Sequence, residues 1–75
     1  MNLLLPQTRT GTIQRAARVD IHGDRYVDVA IALDGAETPT VAGRIGAMEC
    51  PDDLAPGDRV SVRLTMGLIT CVTRT

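Results

Sequence analysis

Tyr26-Val27-Asp28-Val29-Ala30-Ile31-Ala32-Leu33, closed by Asp34-Gly35, decides the fold. Val27, Val29, Ile31 and Leu33 alternate with Tyr26, Asp28, Ala30 and Ala32, the period of a half-buried strand. A second run, Arg59-Val60-Ser61-Val62-Arg63-Leu64, has the same period and is opened by Leu54-Ala55-Pro56-Gly57-Asp58. Helical patterning has period 3.6, and neither stretch shows it.

Upstream, residues 10–21 read as a first strand. Ile13, Ala17, Val19 and Ile21 are expected on its inner face, with Thr12, Gln14, Ala16, Arg18 and Asp20 on the outer one. Arg15 interrupts the inner set, which predicts a bulge or bend there. His22-Gly23-Asp24-Arg25 supplies hairpin chemistry, because glycine takes positive φ freely. Asp34 to Pro39 is a polar turn. A third strand is expected over 40–48, with Val41 and Ile45 inward. Pro51 and Pro56 forbid a continuous strand from Cys50 to Asp58. Pro51-Asp52-Asp53-Leu54 is expected to form one helical turn, with Leu54 plugging the barrel end. Met66-Gly67 turns the chain into a fifth strand over 68–73, where Leu68, Ile69, Cys71 and Val72 cannot all face inward.

Three strands, a short connection and two strands give an all-β expectation. The order is that of a small five-stranded, OB-fold-like Greek-key barrel with a short helical turn or loop between strands 3 and 4. Residues 1–9 read as an N-terminal tail and 10–75 as the barrel.

Composition bounds the function. Seventy-five residues make one small domain. The apolar share is 44%, yet Phe and Trp are absent and Tyr26 is the only aromatic residue. The core is therefore aliphatic, and a partner or a second copy would relieve its small buried area. Net charge is −1, which argues against a nucleic-acid or membrane surface as partner. Nucleic-acid binding by such a barrel needs a basic groove with stacking aromatics, and one tyrosine does not supply it. All eight basic residues are arginine, a lineage preference or a surface suited to bidentate contacts. Cys50, Cys71 and His22 are too few for a four-ligand zinc site, so no metal and no cofactor are expected. Met1 to Pro6 is too short and uncharged for a signal peptide, no run reaches membrane-spanning length, and a cytoplasmic location is expected. No nucleophile has a base beside it, and no phosphate-cradling glycine loop exists, so a non-enzyme is expected. Arg18, Arg44, Arg59 and Arg63 are the candidate basic stripe.

Gly11-Thr12-Ile13, the strand 26–35, Ala42-Gly43-Arg44-Ile45 and the segment Asp52 to Val62 occur in an order that resembles the acyl-CoA-associated OB-fold family, domain of unknown function 35. The likeness spans about residues 11–64, and its specificity lies in the order and spacing of otherwise generic strand and turn motifs. It implies a non-catalytic accessory subunit that docks on a thiolase-like or related acyl-transferring enzyme and helps bind or channel an acyl-CoA-type substrate. Arg18, Arg44, Arg59, Arg63, Tyr26, Ala30 and Ala32 are the expected ligand or partner contacts. Relatives carry an N-terminal zinc ribbon with paired Cys-x-x-Cys motifs. This chain has no cysteine before Cys50, so either it is a minimal barrel-only form or the ribbon was lost or lies on another chain, and roles that need the ribbon do not carry over with the rest of the resemblance. Two alternatives come from other classes: a single-stranded nucleic-acid module, and a small-anion barrel resembling molybdate-binding domains. The chain lacks the Thr/Ser-rich third strand of the latter.

Overall fold

The computed structural model describes residues 6–35 and 40–75. Five strands form one antiparallel sheet: β1 (Gln7–Ile21), β2 (Asp24–Leu33), β3 (Thr40–Gly46), β4 (Arg59–Thr65) and β5 (Leu68–Arg74). The spatial order is β3-β2-β1-β4-β5. The end strands β3 and β5 lie against each other, with the Ile69 side chain over Gly43. No ladder joins them among the described residues, so the barrel closes there through side chains and stays partly open. This is the expected OB-fold-like architecture, with a single turn of 3-10 helix, Ala47–Glu49, between β3 and β4.

The core is aliphatic, as the composition requires. Ile13, Val27, Val29, Ile31, Ile45, Val60, Val62, Leu64, Ile69 and Val72 are buried. Leu54 is partly buried and packs against them. The β1–β2 and β4–β5 hairpins each turn on two residues of positive φ, His22 (51°) with Gly23 (84°), and Met66 (52°) with Gly67 (78°). Such turns match the right-handed twist of the strands they join.

Several expectations need correction. β1 begins at Gln7, because Gln7, Thr8 and Arg9 pair with Leu64, Arg63 and Val62 of β4. These three residues belong to the barrel and not to a tail. Residues 1–5 of the expected tail, and residues 36–39 of the expected turn, lie outside the described residues. β3 ends at Gly46, and the helical turn sits at Ala47–Glu49, upstream of the expected 51–54. Pro51 disfavours helical backbone at the residue before it, and Cys50 is extended (φ −152°, ψ 162°), which stops the turn.

The largest correction concerns the faces of β1. The register steps from Ile13↔Ile31 to Arg15↔Ala30, leaving Gln14 as the extra residue of a bulge. The bulge lies where Arg15 predicted it, and it shifts the inward phase by one residue. Ala16 now stands opposite buried Val29 and packs on the core. Arg18 stands opposite buried Val27, and Asp20 opposite Arg25. Ala17, Val19 and Ile21, expected inside, lie outside. A second bulge, at Thr70, explains the ambiguous β5. Ile69 and Val72 are both buried while Leu68 remains 69% exposed.

Candidate functional site

β1 is the hinge of the site. Its first half pairs with β4 from Gln7 to Thr12 and with β2 from Gly11 onward, and Gly11 sits in both ladders, opposite Leu33 and Val60. A Cβ at Gly11 would fall 2.5 Å from the Ala32 carbonyl oxygen and 2.9 Å from Ile31 Cγ2, so only glycine fits. Beyond Thr12 the β4 ladder ends. The Ile13 amide donates to the Asp58 carbonyl at 2.9 Å, and the Gly57 amide donates to the Ile13 carbonyl at 2.8 Å. After the bulge, β1 continues with β2 alone as a projecting hairpin arm.

The outer side of this arm continues onto β3. Directly opposite residues of a ladder share a face, so the register fixes its rows. Val19, Tyr26 and Gly46 make one row, then Ala17, Asp28 and Arg44, then Arg15, Ala30 and Ala42, and finally Ala32 with Thr40. Tyr26, Ala30, Ala32 and Arg44, four of the expected contact residues, therefore stand on one surface. Arg44 is engaged at its centre. Its Nε donates to Asp28 Oδ1 at 2.7 Å and its Nη2 to Asp28 Oδ2 at 3.0 Å. That hydrogen bond holds the Asp28 carboxyl below its ordinary range. Beside the pair lies a shallow depression of about 330 Å³ over Arg15, Ala30 and Ala42.

Arg59, opposite Thr12, extends the Ala32–Thr40 row onto β4, where its Nη1 donates to Thr12 Oγ1 at 2.8 Å and to Asp34 Oδ1 at 2.9 Å, and its Nη2 donates to Asp34 Oδ2. Thr10 Oγ1 adds a further donation to Asp34 at 2.9 Å. Arg59 first and Thr10 second hold the Asp34 carboxyl down at about 2. Arg63, opposite Thr8 and Cys71, is exposed on the same side of β4 as Arg59. Arg74, not among the expected residues, donates to Asp53 Oδ1 at 2.8 Å and Asp58 Oδ2 at 3.0 Å and ties the last strand to the connection after β3.

Arg18 is not on this outer side. The bulge turns it to the inner side of the arm, at the open mouth of the barrel. It lines a cleft of about 240 Å³ with Asp20, Arg25 and Asp52. Val27, Ala47 and Pro51 form the apolar wall, and Tyr26 stands at the rim shared with the outer face. Asp52 and Asp53 point apart, one lining the cleft and the other bound by Arg74. Cys50, next to this wall, is a free, half-buried thiol whose Sγ donates to the Ala47 carbonyl at 3.9 Å. Burial first, and the Asp52 charge second, push its pKa up, so it is held as the un-ionised thiol.

Sequence reading missed Arg15, Asp20, Arg25 and Asp52 as cleft or face residues, along with Ala17, Val19 and Ala42. The signal existed in part: a bulge at Arg15, once accepted, requires the inside–outside phase of residues 16–21 to reverse. No cluster of three or more His, Cys, Asp or Glu suited to a metal ion occurs among the described residues. No helix among them is long and apolar enough to cross a membrane. Comparison with protein-family models, curated proteins and solved structures finds no match for the chain.

Proposed function

We propose that this chain is a non-catalytic docking module. Its outer β1–β2–β3 face seats on an acyl-transferring enzyme of thiolase-like fold and helps hold or channel an acyl-CoA-type substrate. The observation that carries the docking role is the face itself. Ala17, Val19, Tyr26, Ala30, Ala32 and Ala42 are contiguous by register, the Arg44–Asp28 pair at their centre is already neutralised, and Arg15, beside Ala30, is a charge on the face without an ion pair among the described residues. Small side chains let a partner backbone approach closely, and a neutralised ion pair lowers the cost of removing that surface from water. The class of partner rests on the resemblance of the ordered motifs between Gly11 and Leu64. Arg15, on the face itself, and Arg63 have no intrachain ion pair among the described residues and are the arginines left there to meet CoA phosphates or partner acids, whereas Arg18 faces the cleft. Arg44 and Arg59 are held by Asp28 and Asp34.

The test is co-purification with the product of a neighbouring thiolase-like gene. The complex is expected to survive gel filtration, and Ala30→Glu, which puts a charge at the centre of the face, is expected to dissolve it without unfolding the barrel. A chain that elutes alone and leaves the acyl-transfer rate unchanged overturns the proposal. A salt-dependent shift of a labelled single-stranded oligonucleotide would instead favour the nucleic-acid reading.

A further inference from the structure

The mouth cleft is a separate matter from the docking face. Along a barrel strand, inward positions ordinarily carry apolar side chains, and Ala16 obeys this rule on the arm. Arg18 and Asp20 break it. They sit two and four residues beyond Ala16 on the same side, and Arg25, opposite Asp20, joins them. The Gln14 bulge put them there, and bulges commonly re-aim side chains next to binding sites.

Three exposed arginines elsewhere close on aspartates, Arg44 on Asp28, Arg59 on Asp34, and Arg74 on Asp53 and Asp58, while Arg15 and Arg63 stand singly. The cleft differs from both cases in gathering unpaired charges of both signs. In the cleft, two guanidinium groups and two carboxylates line one small space, and none of the four forms an ion pair with another described residue. Asp20 and Arg25 are even direct neighbours across the ladder.

The chemistry of the lining selects the ligand. Two positive and two negative groups carry no net charge, so a simple anion or cation gains from one pair and loses to the other. A molecule carrying both signs a few ångströms apart gains from both. Guanidinium is suited to a carboxylate through its fork of donors, and an aspartate accepts from an ammonium. Val27, Ala47 and Pro51 add an apolar wall for an aliphatic substituent. The volume, about 240 Å³, lies below that of drug-sized pockets and suits a small molecule. We propose that the cleft between the hairpin arm and the 47–52 connection binds a free aliphatic α-amino acid. Arg18 and Arg25 take its carboxylate, Asp20 and Asp52 its ammonium group.

The four charged side chains are exposed, so each contact is screened by water and affinity is expected in the millimolar range. The test uses the full chain, labelled with nitrogen-15, titrated with L-valine and followed by the amide resonances of Arg18, Arg25, Ala47 and Asp52. Parallel titrations use 3-methylbutanoate (valine without its ammonium), 2-methylpropylamine (valine without its carboxylate) and inorganic phosphate. Valine is expected to give saturable shifts confined to the cleft, with each single-signed relative and phosphate weaker by about fivefold or more. Arg18→Gln and Asp52→Asn are each expected to weaken valine by about fivefold, with the remaining resonances unmoved, which shows the barrel intact. No saturable shift with valine, shifts that map elsewhere, or equal or tighter binding of any single-signed probe overturns the proposal. The partner enzyme is absent from this experiment, so its outcome is independent of the docking role.

Discussion

The two halves of β1 draw on the same residue types and use them in opposite ways. From Gln7 to Ile13 the strand pairs with β4 as far as Thr12 and with β2 from Gly11 onward, and Thr10, Thr12, Arg9 and the adjoining Asp34 and Arg59 are joined by side-chain hydrogen bonds. From Arg15 to Ile21 it has one neighbour, and Arg15, Arg18 and Asp20 have no ion pair among the described residues. Composition does not separate the halves, while partnership does. In the first half, arginine and aspartate fasten strands together. In the second they are left available to something outside the chain.

The most damaging way to break the first half is Gly11→Ala. The new methyl group would press on the Ala32 carbonyl where β2, β1 and β4 run side by side, at Gly11 and Thr12. A loss of about 2–3 kcal/mol is expected, from overpacking against backbone that cannot yield, and urea denaturation measures it. Gly43→Ala is the internal control. Its methyl group would meet Ile69 at an ordinary 3.6 Å, so a change below about 1 kcal/mol is expected.

Acid acts on the first half as well. Asp34 has its pKa lowered to about 2 by Arg59 and Thr10. A carboxyl with a depressed folded-state pKa stabilises the fold above its unfolded value near 4, and that contribution is lost as pH falls through the folded value. Asp28, Asp53 and Asp58 are shifted the same way by Arg44, by Arg74, and by the Ala55 amide with Arg74. The urea midpoint is therefore expected to fall between about pH 4 and pH 2. Arg59→Gln should flatten part of that limb, and an unchanged profile would show that the Asp34 cluster contributes nothing to folding.

The smallest effect sharpens the contrast between halves. At neutral pH, Arg59→Gln removes donors to both Thr12 and Asp34 and is expected to lower Tm by a few degrees. Arg18→Gln breaks no ion pair among the described residues and should leave stability within about 0.5 kcal/mol of wild type. Equal losses from the two would erase the distinction between the two halves of β1.

The same contrast explains what was legible in the sequence. β2 and β4 run without bulges, so Val27, Val29 and Ile31, and Val60, Val62 and Leu64, could be placed inside by alternation alone. β1 and β5 each hold one extra residue, and a period of two loses its phase there. Arg15 betrayed the first bulge but not its effect on Arg18, and nothing local to Thr70 betrayed the second. The ion pairs were hidden for another reason. Asp34 and Arg59 are 25 positions apart, and only the register of three strands brings them together. The cleft was least legible of all, because it depends on both a lost phase and the path of the 47–52 connection.

Tyr26 has a practical consequence as the only aromatic side chain. Its phenol lies outside the aliphatic core, at the rim between the docking face and the cleft. Tyrosine emission in this protein is thus a built-in optical reporter of one surface, and nearly blind to the packing of the interior. Quenching on addition of a partner or an amino acid would register events at that rim without any attached dye. Unfolding, by contrast, must be followed through the backbone, by far-ultraviolet dichroism.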